Sequence, residues 1–271
     1  MEPPMYGRLI AALALATPIA AHAADTRPPF TQDHARAIIR DLQKVVSPNG
    51  IDQQMEITIG GIKQWITIRG RNRDNPILLF LHGGPGAPEM PTSWTFQNPW
   101  EDYFTVVQWD QRGSGKTYNA NDPATLAPTV NVDRMEKDSE ELVQYLRSKY
   151  HKDKIFVLGH SWGSFLGLHL AQTRPEWLYA YIGMGQMIDS RASERDSYEA
   201  ALAGAKAAND KQAIKELGGI APYPNLDGSV PLAKINIERN WSVKYGGLSW
   251  GRDSYDYYYN ATELSPDYTD A

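Results

Sequence analysis

Gly159-His160-Ser161-Trp162-Gly163 is the stretch of this chain best suited to chemistry. A serine framed by glycines at this spacing fits a sharp turn that lifts its hydroxyl clear of the backbone, where it can attack an acyl group. Glycines at 159 and 163 allow neighbouring backbone to close in. The N–H groups that open a following helix present a positive end to an oxyanion. A second stretch, His82-Gly83-Gly84-Pro85-Gly86, would keep side chains away from a reacting carbonyl. It is expected to supply the other half of an oxyanion hole, one N–H of Gly83 or Gly84 joining that of Trp162. His82 precedes those glycines and is expected to brace the loop rather than to move protons. A third stretch, Trp109-Asp110-Gln111-Arg112-Gly113-Ser114-Gly115-Lys116-Thr117, reads by itself as a polar loop braced by an Asp–Arg pair. Neither Walker spacing nor G-x-G-x-x-G is present, which argues against a phosphate or dinucleotide cradle.

These loops need strands before them and helices behind them. Ile77–Leu81, Phe104–Trp109, Ile155–Leu158 and Tyr179–Met184 are apolar runs of the kind buried on both faces of a parallel sheet. Each of the three loops follows one of the first three runs. Helical spacing of apolar residues predicts helices over Asp133–Lys149 and Trp162–Thr173. Before them, Asp33–Val46 reads as an amphipathic helix with Ala37, Ile38, Leu42 and Val45 on one side. Gln54–Ile59 and Gln64–Ile68 alternate across Gly60-Gly61, a hairpin at a sheet edge. The expected fold is therefore α/β, a mostly parallel sheet opened by an antiparallel hairpin and covered by helices. After about residue 185 the texture turns Ala-rich and charged. Helices are expected over 190–217 and 231–245, and residues 246–271 show no period.

Composition narrows the function classes. Of 271 residues 42% are hydrophobic and 22% charged, enough for a large buried core. The net charge of −5 comes without any Lys/Arg-rich run, so nucleic acid is not an expected partner. The absence of cysteine excludes disulfides and thiolate nucleophiles. No metal or organic cofactor is expected, since H-E-x-x-H and dinucleotide fingerprints are both missing. Leu9–Ala20 is apolar and precedes Ala21-His22-Ala23, a small-x-small pattern. Residues 1–23 are expected to be a cleaved export signal, too short an apolar run to span a bilayer. The expected product is periplasmic or secreted, without stable membrane insertion.

The three loops together resemble proline iminopeptidases of the α/β-hydrolase fold, serine peptidases that release an N-terminal proline. The likeness runs over about residues 50–190. It implies Ser161 as nucleophile, Trp162 with Gly83 or Gly84 on the oxyanion, and a site-shaping loop of His82, Asp110, Gln111 and Arg112. It also implies a helical cap, so the expected division is signal 1–23, core 24–185 and cap 186–271. Serine at the elbow departs from epoxide hydrolases and haloalkane dehalogenases, which place Asp there. The elbow reads Gly-His-Ser where many iminopeptidases have Gly-Gly-Ser. Small peptides or esters are the expected substrates, and an esterase, lactonase or amidase on the same elbow stays open.

The general base is not found. In this fold the triad order is Ser, acid, His. Only His169 follows Ser161, about 12 Å along the same predicted helix and pointing away. Asp189 could sit at the sheet's C-terminal edge or simply cap a helix. Without a base a serine is a weak nucleophile. The chain is therefore expected to be a fragment lacking the last strands, the triad His and its acid, or else a decayed, non-catalytic hydrolase. In the cap, Trp241, Trp250, Tyr255, Tyr257, Tyr258 and Tyr259 could line a pocket or form core. The resemblance implies a carboxylate for a substrate α-amine, with Glu194, Glu199, Glu216 and Glu238 all open.

Overall fold

A computed structural model describes residues 29–247 and 249–268; the expected export signal lies outside them. In chain order the elements are α1 (Gln32–Leu42), β1 (Ile51–Ile59), β2 (Ile62–Gly70), β3 (Ile77–Leu81), β4 (Thr105–Asp110), α2 (Gly115–Asn119), α3 (Pro123–Leu126), α4 (Val132–Lys149), β5 (Ile155–His160), α5 (Trp162–Thr173), β6 (Leu178–Met184), α6 (Ser190–Ala207), α7 (Lys211–Gly219), α8 (Leu232–Lys244) and α9 (Asp256–Glu263). The six strands form one sheet in the order β1-β2-β4-β3-β5-β6. β1 and β2 form an antiparallel hairpin, β2 runs antiparallel to β4, and β4, β3, β5 and β6 are parallel. Gly60 and Gly61 turn the hairpin with φ of +55° and +75°, the left-handed pair that a two-residue hairpin loop demands.

Strand order decides where a site can form. The connection leaving β3 returns on its β4 side, and the one leaving β5 returns on its β6 side, while β3 and β5 are neighbours. Loops at their C-terminal ends therefore diverge and leave a crevice, the usual ligand position in an open α/β sheet. The Gly-rich loop leaves β3 and the serine elbow leaves β5 at this crevice. Leu81 and Gly159 pair across the two strands, so the loops start side by side.

β3 and β4 are buried along their whole length, as their apolar runs predict. Ile66, Ile68, Leu79, Trp109, Leu142, Val157 and Leu166 belong to the main core, between the sheet, α4 and α5. Two sequence expectations are corrected. β6 carries the same apolar pattern as β3, yet only Leu178 is buried; Tyr179, Ile182 and Met184 are exposed. Among the described residues it pairs with β5 alone and stands at the edge of the sheet, with no neighbour over its outer side. α1 forms, but Ile38 and Leu42 are 51% and 76% exposed and the buried residue is Arg36. Polar bonds hold this helix: Arg36 Nε and Gln32 Nε2 both donate to the Glu263 carbonyl, at 3.0 and 2.7 Å.

Residues beyond β6 build a second apolar cluster, with Tyr198, Ala201 and Ala205 of α6 against Ala213 and Leu217 of α7, and Trp241 of α8 beside them. The chain then runs back to the core. α9 packs on the turn at Met90–Thr95, where the Trp94 indole N–H donates to the Ala261 carbonyl (3.0 Å). Among the described residues no helix is long and apolar enough to cross a membrane.

Candidate active site

Ser161 sits between β5 and α5 with φ +49° and ψ −117°, a backbone state that a non-glycine residue rarely adopts. The surroundings fix it there. Its N–H donates to the Met184 carbonyl at the end of β6 (2.8 Å), and its carbonyl accepts from the Ser164 N–H (2.9 Å) and hydroxyl (2.6 Å). The flanking glycines are required by contact. A β-carbon at Gly159 would lie 2.7 Å from Ser164 Cα, and one at Gly163 would overlap the Leu81 carbonyl oxygen. A strained serine at a strand-to-helix turn is the geometry that the G-x-S-x-G motif predicts.

The Gly-rich loop lies directly against the serine. A β-carbon at Gly83 would come within 3.2 Å of Ser161 Cβ and 3.6 Å of His160 Nδ1. Gly84 follows at φ +118°. The Trp162 N–H, first in α5, has no acceptor within the helix. Gly83 thus packs against Ser161 and shares its cleft with Gly84, while Trp162 follows the serine as the first residue of α5.

His82 stands behind the loop as a brace. It is buried, and its Nδ1–H donates to the Gly83 carbonyl (2.8 Å) while Nε2 accepts from the Gln111 N–H (3.2 Å). Gln111 Nε2 returns a hydrogen bond to the His82 carbonyl (2.9 Å). Burial pushes the imidazole down to about 4, against the Gly83 bond that raises it, so His82 is neutral. Asp110 is buried behind it. Its carboxylate accepts from the Lys116 N–H (2.8 Å) and from the Tyr268 hydroxyl. Its other oxygen has no partner among the described residues, and burial pushes the group up to about 6. Arg112 faces elsewhere, binding Asp138 through Nε (2.6 Å) and Nη2 (3.0 Å) and the Gly60 carbonyl through Nη2 (3.0 Å). His82, Asp110 and Gln111 support the loops from behind, Arg112 ties its own loop to α4 and the hairpin turn, and none of the four lines the cleft.

That cleft, of about 380 Å³, is lined by Gly83, Gly84, Ala87, Glu89, His160, Ser161, Ser249, Tyr255, Tyr257, Tyr258 and Tyr259. Larger depressions of about 510 Å³ lie on charged surfaces far from the serine, one of them along Glu140, Arg174 and Glu176. Chemistry rather than size selects the smaller cleft. The tyrosines of the 255–259 run line it, whereas Trp241 bonds Glu216 within the helical layer (2.9 Å) and Trp250 is 99% exposed. Tyr258 is pushed up to about 12, by burial first and then by the Glu89 carboxylate.

One pair in the cleft was not found by sequence reasoning. His160 Nδ1 bonds Glu89 Oε1, and Glu89 is only 7% exposed. The Glu89 hydrogen bond raises the His160 imidazole above its ordinary range, against burial, which lowers it. The two residues lie 71 positions apart, and the only sequence hint is a glutamate just past the Gly-rich loop.

The other candidates have other partners. His169 bonds Glu140 (2.8 Å) and Glu136 (3.4 Å) of α4. Asp189 caps α6, accepting from the Ala192 N–H (2.9 Å). Glu194 and Glu238 both bind Arg239, and Glu199 is exposed on α6.

Comparison with known proteins identifies a family. The family described as alpha/beta hydrolase fold matches residues 76–217, just over half of the chain. A probable aminopeptidase, YbaC, of Bacillus subtilis (strain 168) is 40% identical over 144 residues, 53% of this chain and 44% of the relative. The proline iminopeptidase of Neisseria gonorrhoeae is 39% identical over 105 residues, 39% of this chain and 31% of the relative. A proline iminopeptidase-related protein of Thermus thermophilus superposes with a TM-score of 0.47 at 22% identity, covering 56% of this chain and 50% of that one. The chain thus spans less than half the length of these curated relatives.

Proposed function

Because the chain belongs to the alpha/beta hydrolase fold family, we propose that it is a serine hydrolase that releases an N-terminal residue, proline by resemblance, through an acyl-enzyme on Ser161. One observation carries this reading: Ser161 is held at φ +49° at the mouth of a cleft, with Gly83 packed against it. In the proposed reaction Ser161 Oγ attacks the substrate carbonyl and a base takes its proton. The N–H groups of Trp162 and of Gly83 or Gly84 hold the oxyanion. The C–N bond breaks as the proton passes to the leaving amine, and water then hydrolyses the acyl ester.

The reading places the base and its acid outside the described residues, in a segment packed beyond β6. The exposed apolar face of β6 and the short span of the relatives covered here both support it. Export by way of residues 1–23, and a core and cap dividing near residue 185, belong to the same proposal.

Ester hydrolysis is the second reading, favoured by the engagement of Glu194 and Glu238 with Arg239, which leaves neither free for a substrate amine. Turnover of L-proline 2-naphthylamide and of p-nitrophenyl acetate by the full-length protein, with the segment that holds the base, separates the two. Prolyl amide turnover that vanishes in Ser161→Ala is the expected result. Strong ester turnover with none on the amide would reject the peptidase. Absence of both, with no labelling of Ser161 by a fluorophosphonate, would leave a non-catalytic protein.

A further inference from the structure

The loop over the nucleophile is an exposed arch with two buried ends. Gly84–Ala87 are exposed, while Gly83 before them and Glu89 after them are buried. The first end is fixed by His82, which bonds the Gly83 carbonyl and interlocks with Gln111. Within the arch the Ala87 N–H makes a long bond to the Gly83 carbonyl (3.4 Å), and Gly84 and Gly86 have φ of +118° and +83°. Pro85 and Pro88 fix two φ angles, but among the described residues that long bond is the one backbone hydrogen bond within the arch, so its position is set mainly from its two ends. The second end is fixed by Glu89, whose side chain reaches His160, the residue that precedes Ser161.

We infer that the Glu89–His160 pair is a positioning clamp: it ties the far end of the Gly83–Gly84 arch to the serine elbow and so sets the gap between the two halves of the oxyanion hole. The inference rests on the reading of Ser161 as a nucleophile. Glu89 and His160 are positioning residues that transfer no proton. The two N–H halves come from separate loops, one after β3 and one after β5, and both must aim at one oxygen. An oxyanion hole works only when its dipoles are fixed beforehand. The pair is the side-chain link that joins the arch to the residue beside the nucleophile. A nearly buried carboxylate bonded to an imidazole is also a link that water competes for poorly.

Two measurements on the full chain test the clamp. Hydrogen exchange of the Gly83 and Ala87 amides, one buried and the other hydrogen-bonded, should rise in Glu89→Gln and in His160→Ala while that of β3 and β5 stays unchanged. The rate of Ser161 labelling by a fluorophosphonate should fall about tenfold or more in both variants, on the scale of an oxyanion donor moved out of place. His160→Gln, whose amide N–H can still reach Glu89, should recover most of both properties; a role in general packing would not be rescued this way. Unchanged exchange at Gly83 and Ala87 in both variants would overturn the clamp, whether or not Ser161 is reactive. Wild-type labelling that survives undiminished in both variants would overturn it too. No labelling of the wild type, with loosened exchange in the variants, would keep the clamp and count against the serine hydrolase reading.

Discussion

Gly163 and Leu81 meet backbone to backbone: a β-carbon on Gly163 would overlap the Leu81 carbonyl oxygen and lie 2.8 Å from that of His82. α5 therefore docks its first turn directly on the end of β3, and this contact brings the elbow beneath the Gly-rich loop. Neither backbone can give way, since β3 is hydrogen-bonded on both sides, to β4 and to β5.

Gly163→Ala is thus expected to destabilise the fold by at least about 1–3 kcal/mol, the usual cost of overpacking a rigid site. Urea denaturation gives the loss directly. Ser161 labelling should fall further than stability alone explains, because any shift of α5 also moves the Trp162 N–H. Wild-type labelling in a folded Gly163→Ala protein would show that the docking does not position the elbow.

Two buried groups near the site should oppose each other in pH dependence. Asp110 rises from its ordinary 3.8 to about 6 on burial. The folded state then holds the proton more tightly, so its stabilising contribution is full below pH 4 and is lost as pH rises through 6. His82 falls from 6.5 to about 4. The folded state favours the neutral ring, so its contribution is full above pH 6.5 and is lost as pH falls through 4. Each is worth on the order of 3 kcal/mol at 1.36 kcal/mol per unit, so they nearly cancel in the wild type between pH 4 and 6.5. Asp110→Asn should expose the histidine, and the protein should weaken on acidification across that window. His82→Gln should expose the aspartate and reverse the slope. Urea midpoints across pH 4–7 for the three proteins decide it, and parallel curves would refute the assignment.

The ion pair between Arg112 and Asp138 is buried on both sides, 1% and 0% exposed. Asp138 also accepts from Gln64 (3.0 Å) and Arg134 (2.9 Å), and Arg112 reaches the hairpin turn at Gly60. Arg112→Leu strands a buried carboxylate with fewer donors and is expected to cost about 3–5 kcal/mol. Asp138→Leu strands the guanidinium at a similar cost. The double variant should cost well below the sum, which a double-mutant cycle in urea measures. Additive losses would mean that the pair is not coupled.

How far the sequence carries depends on the range of the interaction. Ser161 and its glycines are legible because a strained turn makes its demands within five residues. β3 is legible because burial on both faces leaves a continuous apolar run. β6 shows the same run and is exposed, since a run records what a strand can bury and not which neighbours it has. α1 has an amphipathic pattern and buries Arg36 instead, because its partner is the carbonyl of Glu263, 227 positions away. The Glu89–His160 pair is hidden for the same reason. The tyrosines at 255–259 show no period because α9 buries no residue fully; it is held by its contact with the turn at Met90–Thr95.

Arg239 tests whether the helices beyond β6 stand as a unit of their own. It bonds Glu194 of α6 and the fully buried Glu238 of α8, and Glu238 otherwise accepts from the Ser197 hydroxyl (2.6 Å). Arg239→Met keeps the apolar stem and removes the charge, leaving Glu238 buried with a hydroxyl donor alone. An uncompensated buried carboxylate costs several kcal/mol or takes up a proton. The loss should be local, because α6, α7 and α8 bury their side chains in a cluster separate from the sheet's core. Hydrogen exchange is expected to accelerate across α6 and α8 in Arg239→Met and to stay at wild-type rates in β3, β4 and β5. Equal acceleration in both regions would mean that the two clusters unfold together, and that the helical layer is no independent cap.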